Sequence, residues 1–244
     1  AVKKIFELHG KEIAAIIVEP VPANNGLLLQ REGFLDEISK IARAQGALVI
    51  FDEVITGFRV AFAGMASRVS VKPDLVTYGK VIGGGFPVGA YGGRKDLMDQ
   101  IAPMGPVYQA GTLSANPVAM AAGLAALKKL KNGNVYEVLE KRTAQLASEM
   151  QTIAQKHDRR LKVQHYSSMF WSILGEIKTA DGFVRKISDI PATQKEEYVT
   201  AFHKFLDAGI YFAPSGFEIS FLSTAHHERV LDHFLRSFDK AMTR

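Results

Sequence analysis

Ala47-Leu48-Val49-Ile50-Phe51-Asp52-Glu53-Val54 is a continuous apolar run that breaks into two carboxylates. Runs of this kind suit a strand covered on both faces, as in a parallel sheet. Upstream, Ile13-Ala14-Ala15-Ile16-Ile17-Val18 has the same character and ends in Glu19-Pro20. Between the two, Phe34, Leu35, Ile38, Ile41 and Ala42 recur at helical spacing, and Gly46 stands where a helix end takes left-handed backbone. Strand, helix and strand joined by short connections form a βαβ unit, so the two strands are expected to run parallel.

Working outward, the pattern predicts short strands over residues 75–78 and 88–92. Asn116-Pro117 then opens a long helix, with Asn at the cap and Pro in the first turn. A second long helix spans residues 135–156, and Lys131-Asn132-Gly133-Asn134 marks the exit from the first domain. Beyond it the βαβ rhythm is lost. Residues 163–174 alternate like one strand, residues 195–208 form a helix closed by Gly209, and Ile210-Tyr211-Phe212 reads as a strand. Residues 218–223 read as another strand and residues 229–242 as a final helix. The expected architecture is α/β with a mostly parallel sheet over residues 1–133, followed by a long linking helix and a small α+β domain over 134–244.

With 47% hydrophobic and 23% charged residues among 244, the composition is that of an ordinary globular protein. There is no cysteine, which excludes disulfides, thiolate nucleophiles and cysteine-ligated metal centres, and which fits a cytoplasmic protein. No apolar run approaches the ~20 residues that span a bilayer. The first residues, Ala1-Val2-Lys3-Lys4-Ile5-Phe6-Glu7, have no signal-peptide core and no initiating methionine. The net charge of +5 is spread out; Lys128-Lys129-Lys131 and Arg159-Arg160-Lys162 are small clusters without aromatic interleaving. They read as solvated helix ends, and neither nucleic acid nor membrane is expected as a partner.

Asp52 and Lys80 each lie just past the end of a predicted strand, where open α/β sheets gather their active groups. A lysine amine can form an imine with an aldehyde, and an aspartate can hold a pyridine nitrogen protonated. On the residues alone, Asp52 could equally cap a turn and Lys80 be a surface lysine beside Gly83-Gly84-Gly85. A phosphate-binding loop is rejected, because Val81 follows Gly79-Lys80 and Asp74 stands where the first glycine belongs. A dinucleotide fingerprint fails at Val88. His227-Glu228 begins a zinc motif that Leu231 breaks, so His226, His227 and His233 read as a solvent-facing helix and no metal is expected. No Gly-x-Ser-x-Gly elbow supports a serine nucleophile. Gly111-Thr112-Leu113-Ser114-Ala115-Asn116-Pro117 fits a plain helix cap and an anion site equally well.

Together these segments resemble the class III, fold-type I aminotransferases that use pyridoxal 5'-phosphate (PLP), nearest to that family's 2,1-aminomutase branch. The resemblance rests on Ile17-Val18-Glu19-Pro20-Val21, Phe51-Asp52-Glu53-Val54-Ile55-Thr56-Gly57-Phe58-Arg59 and Pro73-Asp74-Leu75-Val76-Thr77-Tyr78-Gly79-Lys80. It continues through Gly83-Gly84-Gly85-Phe86-Pro87-Val88-Gly89-Ala90-Tyr91-Gly92-Gly93 and Tyr108-Gln109-Ala110-Gly111-Thr112-Leu113-Ser114. The last third matches more loosely, best at Ala213-Pro214-Ser215-Gly216-Phe217-Glu218. Ala115 replaces a usual glycine, and Pro22-Ala23 replaces Ala-Gly.

The resemblance implies a PLP-dependent transferase fold of type I with an incomplete large domain. Lys80 would be the Schiff-base lysine and proton shuttle, Asp52 the partner of the pyridinium nitrogen, and Val54 a side chain packed on the ring. Asn24 would lie near the cofactor's phenolic oxygen. Gly111 and Thr112 would belong to the cofactor site, with Thr112 binding the phosphate of the neighbouring subunit, which implies a dimer with shared sites. Glu218 would lie near the substrate's amino groups. The implied activity moves an amino group between small amino and keto substrates, either within one molecule or to a second keto acid. The family's N-terminal portion has no counterpart in this chain, so a companion polypeptide is expected to supply it, giving a dimer of two-chain units. The rival expectation is a non-catalytic or degenerate partner that keeps the fold; intact Lys80, Asp52 and Thr112 count against it. Phe170, Trp171 and Tyr211 are either specificity residues or core aromatics.

Overall fold

The computed structural model describes residues 1–243, in two compact units. The first comprises Ala1–Pro20 and Arg31–Gly133; the second comprises Val21–Gln30 and the residues from Asn134 onward.

The first unit contains helix α1 (Val2–His9), strand β1 (Ala15–Val18), α2 (Phe34–Ala44), β2 (Leu48–Asp52), β3 (Leu75–Tyr78), β4 (Ala90–Gly93), α3 (Lys95–Met98) and α4 (Pro117–Asn132). The sheet order is β1-β2-β3-β4, with the first three strands parallel and β4 antiparallel to β3. The expected βαβ unit is present, and Gly46 takes φ 77 just after α2. β2 alternates: Val49 and Phe51 are fully buried against Leu35, Ile38 and Ala42 of α2 and Phe6 of α1. Leu48, Ile50 and Asp52 point to the opposite, half-open face. That alternation puts Asp52 on one face and Glu53 on the buried one.

Two strand boundaries differ from expectation. β1 starts at Ala15 because Ile13 closes a 3₁₀ turn through its N–H to Gly10 O. β4 starts at Ala90 because Gly84 and Gly85, at φ 57 and 101, keep the preceding loop coiled.

At the start of β3, Asp74 accepts hydrogen bonds from Val49 N (2.8 Å) on β2 and from Arg94 Nη1 (2.9 Å) after β4. Burial alone would raise the Asp74 pKa, but the Val49 N–H, Arg94 and Arg43 outweigh it and hold the carboxyl below its ordinary value. A depressed folded-state value means stability that is complete above about pH 4 and lost as pH falls through the lower folded value. Asp74→Ala is therefore expected to cost about 1–3 kcal/mol at neutral pH. It should also flatten the acid limb of stability below pH 4, as read by thermal midpoints across a pH series.

The second unit contains α5 (Val135–Lys156), β5 (Leu161–Tyr166), β6 (Met169–Leu174), α6 (Gln194–Asp207), β7 (Ser220–Phe221) and α7 (Glu228–Met242). Its antiparallel sheet has the order β5-β6-β7 and packs with α5, α6 and α7 around Leu146, Met150, Phe170, Phe205 and Phe238. The single strand expected over residues 163–174 is a hairpin instead. Tyr166 pairs with Met169 across a turn in which Ser167 takes φ 51, and no glycine marks the reversal in sequence. The strand expected at Ile210-Tyr211-Phe212 does not form. Ile210 N bonds back to Phe205 O (2.8 Å), and Phe212 is buried by edge contact with Phe205 (5.3 Å) rather than by a ladder. The strand expected over residues 218–223 shortens to Ser220–Phe221, because Glu218 N closes a turn on Ser215 O (3.1 Å).

The first domain was expected to run unbroken over residues 1–133, yet residues 21–30 pack into the second unit. Val21, Ala23 and Leu27 are buried, and the fully buried Gln164 donates to Leu27 O (2.7 Å) and Val184 O (3.1 Å). Gly26 N donates to Phe217 O (2.6 Å), and a Cβ at Gly26 would lie 2.7 Å from the Trp171 ring. Trp171 is held in turn by its indole N–H on Gly216 O (2.8 Å).

Candidate active site

The carboxyl ends of β2 and β3 carry the chemistry-bearing residues of the first unit. Asp52 is the last residue of β2 and stands in register with Thr77 on β3. Its Oδ1 accepts from Val54 N (3.0 Å) and from Thr77 Oγ1 (3.2 Å). Among the described residues no donor reaches Oδ2, so a half-buried carboxylate oxygen is left to take an outside N–H.

Lys80 lies two residues beyond β3 and opens the 3₁₀ turn Lys80–Gly83. Its side chain is exposed and its backbone takes φ 47, a left-handed conformation that costs a non-glycine residue about 1–2 kcal/mol. Strain of this kind persists only where the surroundings enforce it. The enforcing element is α4. A Cβ at Gly84 (φ 57) would lie 2.5 Å from Ala122 O, and one at Gly123 would strike Ile82 O, so helix and turn meet backbone to backbone. Gly123 carried no signal in sequence beyond interrupting an alanine-rich helix. Gly79 has a similar role: a Cβ there would lie 3.2 Å from Val54 Cγ1, which leaves the space beside Val54 flat and open.

Glu53, between Asp52 and Val54, is fully buried and organises the loop over residues 53–66. Its carboxyl accepts from Thr56 Oγ1 (3.0 Å), Met65 N (2.6 Å) and Ala66 N (2.9 Å). Tyr78 lies on the same side, with its ring 5.5 Å from that of Phe58, and burial followed by the charge of Glu53 pushes its hydroxyl pKa up. Burial also lowers the Arg59 guanidinium from its ordinary value. Sequence reasoning missed Glu53, whose one signal was a carboxylate next to a strand-end aspartate.

Gly111 and Thr112 are exposed in a turn closed by Ser114 N on Gly111 O (3.0 Å). Asn116 Oδ1 accepts from Val118 N (3.0 Å) and Ala119 N (3.2 Å), so the helix cap occupies those two donors of α4. The Thr112 hydroxyl remains open to an anion. Ala115 takes φ 56, which explains why a glycine serves there elsewhere and what alanine costs, roughly 1 kcal/mol.

Asn24 and Glu218 fall in the second unit, both exposed, and the Gly26–Phe217 hydrogen bond draws their segments together. Phe170 and Trp171 are core aromatics, at 4% and 1% exposure, whereas Tyr211 is 77% exposed. His227 caps the start of α7, and His226 Nδ1 accepts from Ser223 N (2.9 Å).

The parallel sheet places a carboxylate at one strand end and a strained lysine past the next. The chain belongs to the class III aminotransferases: that family's pattern matches residues 1–241. Its fold is the PLP-dependent transferase fold of type I. It is 51% identical over 243 residues to the glutamate-1-semialdehyde 2,1-aminomutase of Leptospira interrogans, covering 99% of this chain and 54% of that protein. The aminomutase of the same name from Bdellovibrio bacteriovorus is 47% identical over 229 residues, 94% of this chain and 53% of that one. Among solved structures, an omega-transaminase from Sphaerobacter thermophilus superposes with a TM-score of 0.87 at 32% identity, covering 98% of this chain and 54% of that one. The chain thus spans about half the length of the relatives it matches.

The residues present fit pyridoxal phosphate. Asp52 Oδ1 is held by two donors while Oδ2 has none among the described residues, Lys80 is exposed, and the glycine at residue 79 leaves room beside Val54.

Proposed function

We propose that this chain is the lysine-bearing part of a PLP-dependent enzyme that moves amino groups, and that its reaction is that of a 2,1-aminomutase. The geometry of Asp52 and Lys80 on adjacent strand ends carries the first part. The 51% and 47% identities to two curated aminomutases favour the second. The runner-up is an aminotransferase that passes the amino group to a second keto acid.

PLP supplies a carbonyl that exchanges amines and a ring that accepts electrons. Asp52 Oδ2 would accept the ring N–H and so favour the charged ring. Lys80 would hold the cofactor through its amine and would be the group placed to carry a proton at the reacting carbons. By the family resemblance, Val54 would pack on the ring, Asn24 would lie near the phenolic oxygen, and Gly111 and Thr112 would belong to the cofactor site, with Thr112 binding the phosphate of the neighbouring subunit in a dimer. Glu218 would lie near the substrate's amino groups. The cytoplasm is the compartment this reading assigns.

Further polypeptide of the same family, as a companion chain or as the remainder of a longer one, completes the large domain. Supporting this, β1 is a sheet edge and Ile17 on it is 60% exposed, while Ile5 and Leu8 of α1 are 51% and 68% exposed. An open edge with apolar neighbours needs a cover.

The test is borohydride reduction of the holoenzyme followed by peptide mapping. Reduction should bleach the visible band and leave the cofactor on the peptide containing Lys80. Label on another lysine, or none, would refute the assignment. Conversion of glutamate 1-semialdehyde without an added keto acid would separate the aminomutase from the aminotransferase.

A further inference from the structure

We propose that Thr77 is a positioning residue for the cofactor, acting through Asp52; the inference rests on the PLP reading above. Asp52 and Thr77 are directly paired across β2 and β3. The Thr77 hydroxyl donates to Asp52 Oδ1 at 3.2 Å, its one side-chain hydrogen bond among the described residues. Val54 N donates to the same oxygen at 3.0 Å. Both protein donors therefore converge on Oδ1, and the carboxylate plane is fixed with Oδ2 turned outward.

The Thr77 backbone is itself held, because its carbonyl accepts from Glu53 N (3.0 Å) and the residue continues the β3 ladder. The hydroxyl is thus placed by strand register rather than by a mobile side chain. A strand position needs only a β-branched residue, which valine would satisfy. The hydroxyl adds the one feature valine lacks, a donor aimed at a carboxylate that must present a single oxygen to a ring nitrogen. In metal sites, groups that orient a ligating side chain are worth about 10–100-fold in metal affinity when removed. The lower end of that range is expected for a carboxylate that holds a ring nitrogen.

The experiment compares the wild-type holoenzyme with Thr77→Val and Thr77→Ser. PLP affinity is measured by visible absorption, the pH titration of the visible band is recorded, and thermal midpoints of the cofactor-free forms serve as the folding control. Thr77→Val should fold like the wild type, lose about tenfold in PLP affinity and shift the titration of the band. Thr77→Ser should restore both properties. Equal affinity and an unmoved titration in Thr77→Val would overturn the proposal, as would a serine variant that behaves like the valine one. A wild type that takes up no PLP would refute the PLP reading itself, and with it this inference.

Discussion

Replacing Lys80 with alanine is expected to abolish amino-group transfer, by a factor on the order of 10⁴, while leaving thermal unfolding close to that of the wild type. The side chain is exposed and makes no packing contact whose loss would register in the core. Both lysine and alanine carry a Cβ, so the strain at φ 47 is the same in each. Lys80→Gly separates strain from chemistry. It should be as inactive as the alanine variant yet more stable by roughly 1 kcal/mol, because glycine adopts left-handed backbone without penalty. Turnover assays and thermal midpoints on the three proteins check this. Residual turnover in the alanine variant above a few per cent would remove Lys80 from the chemistry and revive the degenerate-partner reading.

Glu53→Ala is expected to be the most damaging single change to the first unit. Three donors converge on that carboxyl, from Thr56, Met65 and Ala66. Each buried donor left without a partner costs about 1–3 kcal/mol, and partial hydration brings the sum to roughly 3–4 kcal/mol. The thermal midpoint should fall by roughly 6–12 °C. Glu53→Gln should cost about half as much, since one acceptor oxygen survives while the amide must turn an N–H toward a donor. Because Glu53 lies between Asp52 and Val54, both variants should also weaken PLP binding. A Glu53→Ala protein as stable as the wild type would show that the loop over residues 53–66 is held by something other than this carboxyl.

The legible parts of this molecule are those whose signal is local. The apolar run into Asp52 announces a buried strand through its own composition, and β2 forms with Val49 and Phe51 buried, as a parallel strand should. The helix over Pro117–Asn132 announces itself through Asn116 at its cap and Pro117 in its first turn. Asp52 and Lys80 could be picked out because the ends of such strands are where a sheet exposes polar groups. Elements that carry no distinctive residue signal were missed or read wrongly. The Ser167 turn has no glycine, the residues over 210–212 are apolar without being a strand, and Glu53 finds its acceptor role only twelve or thirteen residues later, at Met65 and Ala66.

The amino-acid sequence alone determined the βαβ unit and the long helices, the two strand ends that bear the carboxylate and the amine, and the family those segments resemble. The elements and the strand ends follow from short runs that are continuously apolar or patterned with a helical period, and the family follows from the motifs that resemble it. Only the tertiary structure decided that residues 21–30 leave the first unit, because Gln164 and Trp171 that hold them are more than a hundred residues away along the chain. Only the tertiary structure assigned the two hydrogen bonds on Asp52 Oδ1 and the backbone contact of Gly84 with α4. Periodicity records which side of an element faces inward; which atom it meets there is set by packing between elements distant in sequence.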